Sequence, residues 1–153
     1  MGTAMFYHLT QRPLEDTLRM LVGKAQGAGW RVAVRGTTPA RMQALDAALW
    51  LGPDDSFLAH GVAGGPHDRH QPVLLTCDAA APNGPQCVMT IDGADLDPAE
   101  IAGLERLCVL FDGTDDAAVN KARAQWLAVK NAGCEAQYWS EDSGRWEMKA
   151  KTN

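Results

Sequence analysis

The sequence predicts an α/β protein with three layers and a mainly parallel sheet. Short apolar runs alternate along the chain with longer segments in which apolar residues recur at helical spacing. Several of the short runs, such as "RLCVLF", are continuously apolar, which favours buried strands. The length of 153 residues fits one domain, residues 1–153, whose core needs neither a disulfide nor a metal ion.

The first strand–helix–strand unit occupies about the first 35 residues. "AMFYHL" predicts a buried strand, and "WRVAVRG" predicts a second strand. Between them, Pro13 suits the first position of a helix, and Glu15 and Asp16 suit its positive end. Gly27 and Gly29 end this helix.

A second alternation of helix and strands follows, with less clearly marked element boundaries. Thr38 is the predicted N-cap of a helix over "PARMQALDAALWL", with Pro39 at its first position. The glycine-rich segment "GVAGGPHDRHQ" predicts a mobile loop. The runs "PVLLTC" and "CVMTIDG" predict two further strands, separated by the turn "APNGPQ".

The last third of the chain contains the longest predicted helix. Residues 98–105 predict a short helix before the buried strand "RLCVLFDG". The long helix covers "TDDAAVNKARAQWLAVKNAG", with Thr114 as its N-cap and Gly133 as its stop. "CEAQYWSE" predicts the last strand of the alternation, and "SGRWEMKA" predicts a terminal hairpin arm or tail.

The composition is typical of a soluble globular protein, with 46% hydrophobic and 22% charged residues. No apolar run approaches the roughly 20 residues that a membrane span needs. The first residues, "MGTAMFYHLTQRP", lack the basic and then apolar layout of a signal peptide. We therefore expect a cytoplasmic protein that does not contact the membrane.

The charge distribution bears on the partners of the protein. The net charge of −5 disfavours direct nucleic acid binding, since phosphates are repelled. All of this charge lies in residues 1–113, whereas residues 114–153 carry equal numbers of basic and acidic residues. An anionic partner is therefore expected to bind the last forty residues.

Cysteine and histidine spacing gives no metal or redox site. The four cysteines contain no C-x-x-C pair, and Cys108 is predicted to be an apolar core residue. His67 and His70 in "HDRH" have a spacing that suits a metal on a helix. They lie between Gly65-Pro66 and Pro72, however, which favours a solvated loop.

The usual nucleotide motifs are absent. A G-x-G-x-x-G fingerprint would follow the first strand, where this chain reads "HLTQRPLED", and no P-loop motif occurs anywhere. We expect no cofactor.

Two sets of residues leave a catalytic alternative open. His60 is near Asp54 and Asp55 and forms either an acid–base pair or a structural histidine beside two turn residues. Asp112 ends a buried strand and is either a reactive group or the acid that begins the next turn. The alternative function is a small enzyme that uses Asp112 and His60 on a phosphorylated or nucleotide ligand at the carboxyl ends of the strands.

Seven motifs in order resemble one known family. They are "FYHL", "GWRVAV", "LDAALW", "DSFLAHG", "QPVLLT", "FDG" and "ARAQWLAVKNAG". Together they resemble the chi subunit of bacterial DNA polymerase III, an accessory subunit of the clamp-loader complex. The resemblance implies a Rossmann-like fold that lacks a nucleotide-binding glycine loop. It also implies a non-enzymatic adaptor, without a catalytic site of its own, that links the clamp loader to single-stranded DNA-binding protein.

The resemblance also implies a site for the acidic, hydrophobic C-terminal tail of single-stranded DNA-binding protein. Family members bind this tail with basic and aromatic residues of the last long helix, which Arg123 and Trp126 match. Val119 occupies a position that is basic in the family, with Lys121 nearby as a substitute, and Lys130 falls on the same stripe. The alternative is a solvated basic helix face with Trp126 partly in the core.

A second partner implied by the resemblance is the psi subunit, which tethers chi to the clamp loader. Trp50, Phe57 and Leu58 match the stretch that faces psi, with His60 at its edge as a structural hydrogen-bonding residue. The alternative is that Phe57 and Leu58 fill the core of the domain itself.

Overall fold

The computed structural model describes residues 2–50, 60–141 and 143–152, and of Trp50 it describes only the backbone. These residues form eight strands and three α-helices. The strands are β1 Thr3–Leu9, β2 Val32–Arg35, β3 Gly61–Val62, β4 Val73–Thr76, β5 Cys87–Thr90, β6 Arg106–Asp112, β7 Glu135–Ser140 and β8 Glu147–Thr152. The α-helices are α1 Leu14–Gly27, α2 Pro39–Trp50 and α3 Asp116–Asn131, and the 3₁₀ helices are Asp68–His70 and Pro98–Gly103. In these ranges no helix is long and apolar enough to cross a membrane.

The strands form one sheet in the order β3-β4-β2-β5-β6-β1-β7-β8. Every neighbouring pair is parallel except β7 and β8, which form an antiparallel pair. Because parallel strands point the same way, the residues that follow β1, β5, β6 and β7 meet at one edge of the sheet. The predicted α/β class, the mainly parallel sheet and the terminal hairpin arm are confirmed.

Helices cover both faces of the sheet, since successive side chains of a strand point to opposite faces. Phe6 of β1 packs into one apolar cluster with Ala122 and Val129 of α3. Tyr7 packs into a second cluster with α1 and α2 residues such as Leu18. We call these clusters the α3-side core and the α1/α2-side core. The three predicted layers are therefore present.

Two predicted helix starts and one helix type are wrong. Pro13 is the N-cap of α1 rather than its first helical residue. Asp115, not Thr114, caps α3, because the Thr114 hydroxyl donates to the Asp112 carboxylate at 2.6 Å. The short helix before β6 is a 3₁₀ helix, which begins with an Asp97–Glu100 capping box.

The glycine-rich segment is more ordered than the predicted loop. Gly61 and Val62 form β3 and pair with β4, because a backbone ladder needs no large side chain. The Asp68 carboxylate accepts hydrogen bonds from the amides of Gly64 at 2.8 Å and Gly65 at 3.0 Å. His70 ends a short 3₁₀ turn and is exposed.

Candidate functional site

One side of α3, beside the stripe that packs on the sheet, carries a mixed cationic and apolar surface. We call this surface the α3 flank, and it consists of Val119, Arg123, Trp126, Leu127 and Lys130. At about 100° of rotation per residue, these positions fall within a sector of about 100° around the helix axis. The helix therefore presents them together, next to the buried stripe that holds α3 on the sheet.

Trp126 is fixed from beneath by two aromatic rings. Its indole makes edge-to-face contacts with Phe6 of β1, at a centroid distance of 5.4 Å, and with Tyr138 of β7, at 5.9 Å. Trp126 is half-buried, so part of the indole still reaches solvent. Because these contacts already restrict the indole, the Trp126 side chain loses little conformational freedom when a ligand packs on its apolar surface.

Arg123 and Lys130 lie on either side of this apolar centre. Both side chains are exposed, and neither forms an ion pair with any residue that the structure describes. Leu127 stands between them with 54% of its surface exposed. Two exposed cations around an exposed Leu and a supported Trp can bind a peptide end that is both negatively charged and apolar.

Lys121 lies elsewhere. Two residues along a helix correspond to about 160° around its axis, so Lys121 is almost opposite Arg123. Its Nζ lies 3.0 Å from an Asp95 carboxylate oxygen, and its aliphatic chain lies beside Gly93. Val119 is half-buried and packs on the α3-side core, next to the exposed part of the flank.

One residue of the α3 flank, Leu127, and one residue beneath it, Tyr138, were missed by the sequence analysis. Leu127 is apolar but lies outside the buried stripe of α3. This departure from amphipathic spacing is a sequence signal that could have identified it as an exposed apolar residue. Tyr138 lies on the same face of β7 as Ala136, which strand alternation alone predicts. Its contact with Trp126 depends on how α3 packs across the sheet and has no signal in the sequence.

The predicted psi-facing residues fall mostly outside the described part of the chain. This applies to Phe57, Leu58 and the side chain of Trp50. His60 is described and its ring is fully buried, with Nε2 at 2.9 Å from an Asp46 carboxylate oxygen of α2. His60, which directly precedes β3, thus contacts α2, in keeping with a structural role.

A cavity of about 900 Å³ opens at the carboxyl ends of the strands. Asp112 lines it, but its carboxylate accepts hydrogen bonds from the hydroxyl and the amide of Thr114. These bonds lower the pKa of Asp112 and identify it as the acid that begins the turn into α3. Among the described residues that line the cavity, Asp112 is present and His60 is not, so these two side chains do not converge there. Asp54 and Asp55, the predicted partners of His60, lie outside the described residues.

The arrangement of the described His, Cys, Asp and Glu side chains also bears on metal binding. Within the described ranges, no group of three or more His, Cys, Asp or Glu side chains could hold a metal ion. His67 and His70 are exposed at the two ends of a short 3₁₀ turn.

Comparison with known families gives a match over most of the chain. The family model described as "DNA polymerase III chi subunit, HolC" matches residues 1–137, which include the whole of α3. No curated protein matches the chain.

Proposed function

Because the chain belongs to the DNA polymerase III chi subunit family, we propose that it is a non-catalytic adaptor for single-stranded DNA-binding protein. The proposed ligand is the acidic C-terminal tail of that protein, and the proposed binding surface is the α3 flank. The observation that carries the proposal is that Arg123 and Lys130, which form no ion pair with the described residues, lie around the apolar centre of Trp126 and Leu127.

The chemistry of the tail fits this surface. An apolar residue near the tail end packs on Trp126 and Leu127, which contributes roughly 1.5–3 kcal/mol. Each charge-assisted hydrogen bond from Arg123 or Lys130 to a tail carboxylate contributes roughly 1.5–3 kcal/mol. Association entropy and ordering of the peptide subtract several kcal/mol. We therefore expect an affinity on the order of micromolar, about −8 kcal/mol.

A weak single site is sufficient for an adaptor. Single-stranded DNA-binding protein presents several tails in one assembly, so a released tail is replaced by another at high local concentration. The negative charge of residues 1–113 also disfavours direct contact with DNA, which leaves the tail as the point of attachment.

The second half of the proposed function is attachment to the clamp loader. The segment with Trp50, Phe57 and Leu58 would bind the psi subunit or another clamp-loader component in the cytoplasm. This part depends on the family resemblance, because these side chains lie outside the described residues. If it is correct, Phe57→Ala reduces co-purification with psi and leaves tail binding unchanged.

A pull-down tests the tail proposal directly. Full-length single-stranded DNA-binding protein and a form without its last ten or so residues are immobilised separately and incubated with the intact chain. We expect retention on the full-length protein alone. Equal retention on both forms, or on neither, would contradict the proposal.

A further inference from the structure

The turn between β1 and α1 holds an anion that the chain itself supplies. Three consecutive backbone amides, those of Thr10, Gln11 and Arg12, donate hydrogen bonds to a single carboxylate oxygen, Oε1 of Glu141. The N···O distances are 3.0, 2.8 and 2.9 Å. Glu141 directly follows β7, the parallel neighbour of β1, so both segments lie at the carboxyl edge of the sheet.

This turn is the place where a doubly wound fold binds phosphate. In such folds the first strand–helix turn and the start of the following helix present backbone N–H groups to a pyrophosphate. Consecutive N–H groups that converge on one point form an anion-binding nest whatever their side chains are. The segment "HLTQRPLED" lacks the usual glycines, yet its backbone forms such a nest.

Buried polar atoms at the turn are not all satisfied by this contact. Glu141 is fully buried, and its second oxygen, Oε2, accepts no hydrogen bond from the described residues. Oε2 lies 4.0 Å from Nε of Arg12. The hydroxyl oxygen of Thr10 is also buried and has no partner in the described part of the chain. Besides the three amides bound to Oε1, the turn therefore carries a buried hydroxyl, that of Thr10, which no described residue satisfies.

We propose that the β1–α1 turn is a binding site for a single carboxylate or phosphate group, and that Glu141 occupies it in cis. The cavity of about 900 Å³ is lined by the same turn, from Leu9 to Leu14, so the site adjoins space for a larger ligand. A carboxylate tethered in the same chain competes at high effective concentration with any free anion. Glu141 thereby fills the position that a phosphate would occupy, and its hydrogen bonds connect the end of β7 to the turn before α1.

Glu141 carries its charge at neutral pH. Burial alone raises its pKa, but the three backbone hydrogen bonds and the nearby Arg12 guanidinium outweigh burial and lower the pKa below its ordinary range.

Anion rescue tests the proposal with the intact chain. Glu141→Ala removes the resident carboxylate, and Glu147→Ala is the matched control because it removes an acid that follows β7 but does not accept from the turn. Melting temperatures are measured in chloride and in sodium phosphate or formate at equal ionic strength. At about ten times its dissociation constant, the added anion raises the melting temperature of E141A by about 3–6 °C.

The wild type and E147A define the background response to each salt. A rise in E141A that exceeds both supports the proposal, together with phosphate-induced amide shifts at Thr10, Gln11 and Arg12 in ¹H–¹⁵N spectra. A response of E141A equal to that of the wild type overturns it. If E141A does not fold in chloride, folding is measured for Glu141→Ser in chloride and in phosphate. Recovery in phosphate supports the proposal, and its failure overturns it.

Discussion

Replacement of Arg123 by alanine separates tail recognition from folding. The side chain is exposed and forms no ion pair with the described residues, so its removal breaks no ion pair among them. If a tail carboxylate accepts a hydrogen bond from the guanidinium, its loss costs roughly 1.5–3 kcal/mol of binding. At about 1.4 kcal/mol per tenfold, the dissociation constant rises by roughly 10- to 150-fold.

Fluorescence anisotropy with a labelled tail peptide measures this change. The matched control is Lys121→Ala, which removes one positive charge from the opposite side of the same helix, where Lys121 pairs with Asp95. Both variants change the net charge equally, so a difference between them reports local contact rather than long-range attraction. We expect R123A to weaken binding at least tenfold and K121A to weaken it less than twofold.

Stability is measured alongside binding. Surface substitutions usually change stability by less than about 0.5 kcal/mol, so both variants should melt within about 2 °C of the wild type. Equal loss of affinity in R123A and K121A would refute a specific site on the α3 flank. Unchanged affinity in R123A would remove Arg123 from the site.

Three further predictions concern other residues. Leu127→Ser should weaken tail binding about fivefold and leave the melting temperature unchanged, because Leu127 is exposed. Trp126→Ala should weaken tail binding at least tenfold, and urea titration should show about 2 kcal/mol lower stability, because its ring packing is lost. Glu141→Gln should lower stability at pH 6 by about 2 kcal/mol. Folding lowers the pKa of Glu141. The contribution of its charge to the free energy of unfolding is therefore present above about pH 4.3, the ordinary pKa of Glu, and is lost as the pH falls through the lower pKa of the folded state. Asp112 and Glu147 titrate in the same direction, so the stability difference between the wild type and E141Q, measured by urea titration at pH 6 and pH 3, isolates Glu141.

The fold was predictable where local patterns and tertiary packing agree. The five central residues of β6, 107–111, are all apolar and buried, and α3 has a clear stop at Gly133, whose φ is +81°. Prediction failed where a neighbouring element decides the outcome. Thr114 is a residue type that is favoured at N-caps, but its hydroxyl donates a hydrogen bond to Asp112. Asp115 caps the helix instead, by accepting from the amide of Ala117. Gly61 has no strand propensity, and its strand exists because β4 offers a free edge.

The candidate site was predictable to the extent that it follows helix geometry. Arg123, Trp126 and Lys130 share one side of α3 as their spacing requires, and the same geometry separates Lys121 from them. Glu141 was not predictable, because its partners in the β1–α1 turn lie about 130 residues earlier in the sequence. Only the parallel pairing of β1 with β7 brings these segments together.

The two proposed anion-binding sites differ in whether their donors already have a partner. In the β1–α1 turn, the backbone amides are satisfied by Glu141, which is buried. On the α3 flank, Arg123 and Lys130 are exposed and have no acidic partner among the described residues. An acidic peptide would therefore gain new contacts on the flank, whereas at the turn it would first have to displace a tethered carboxylate. This difference favours a role in peptide binding over a role in nucleotide binding for the same α/β scaffold.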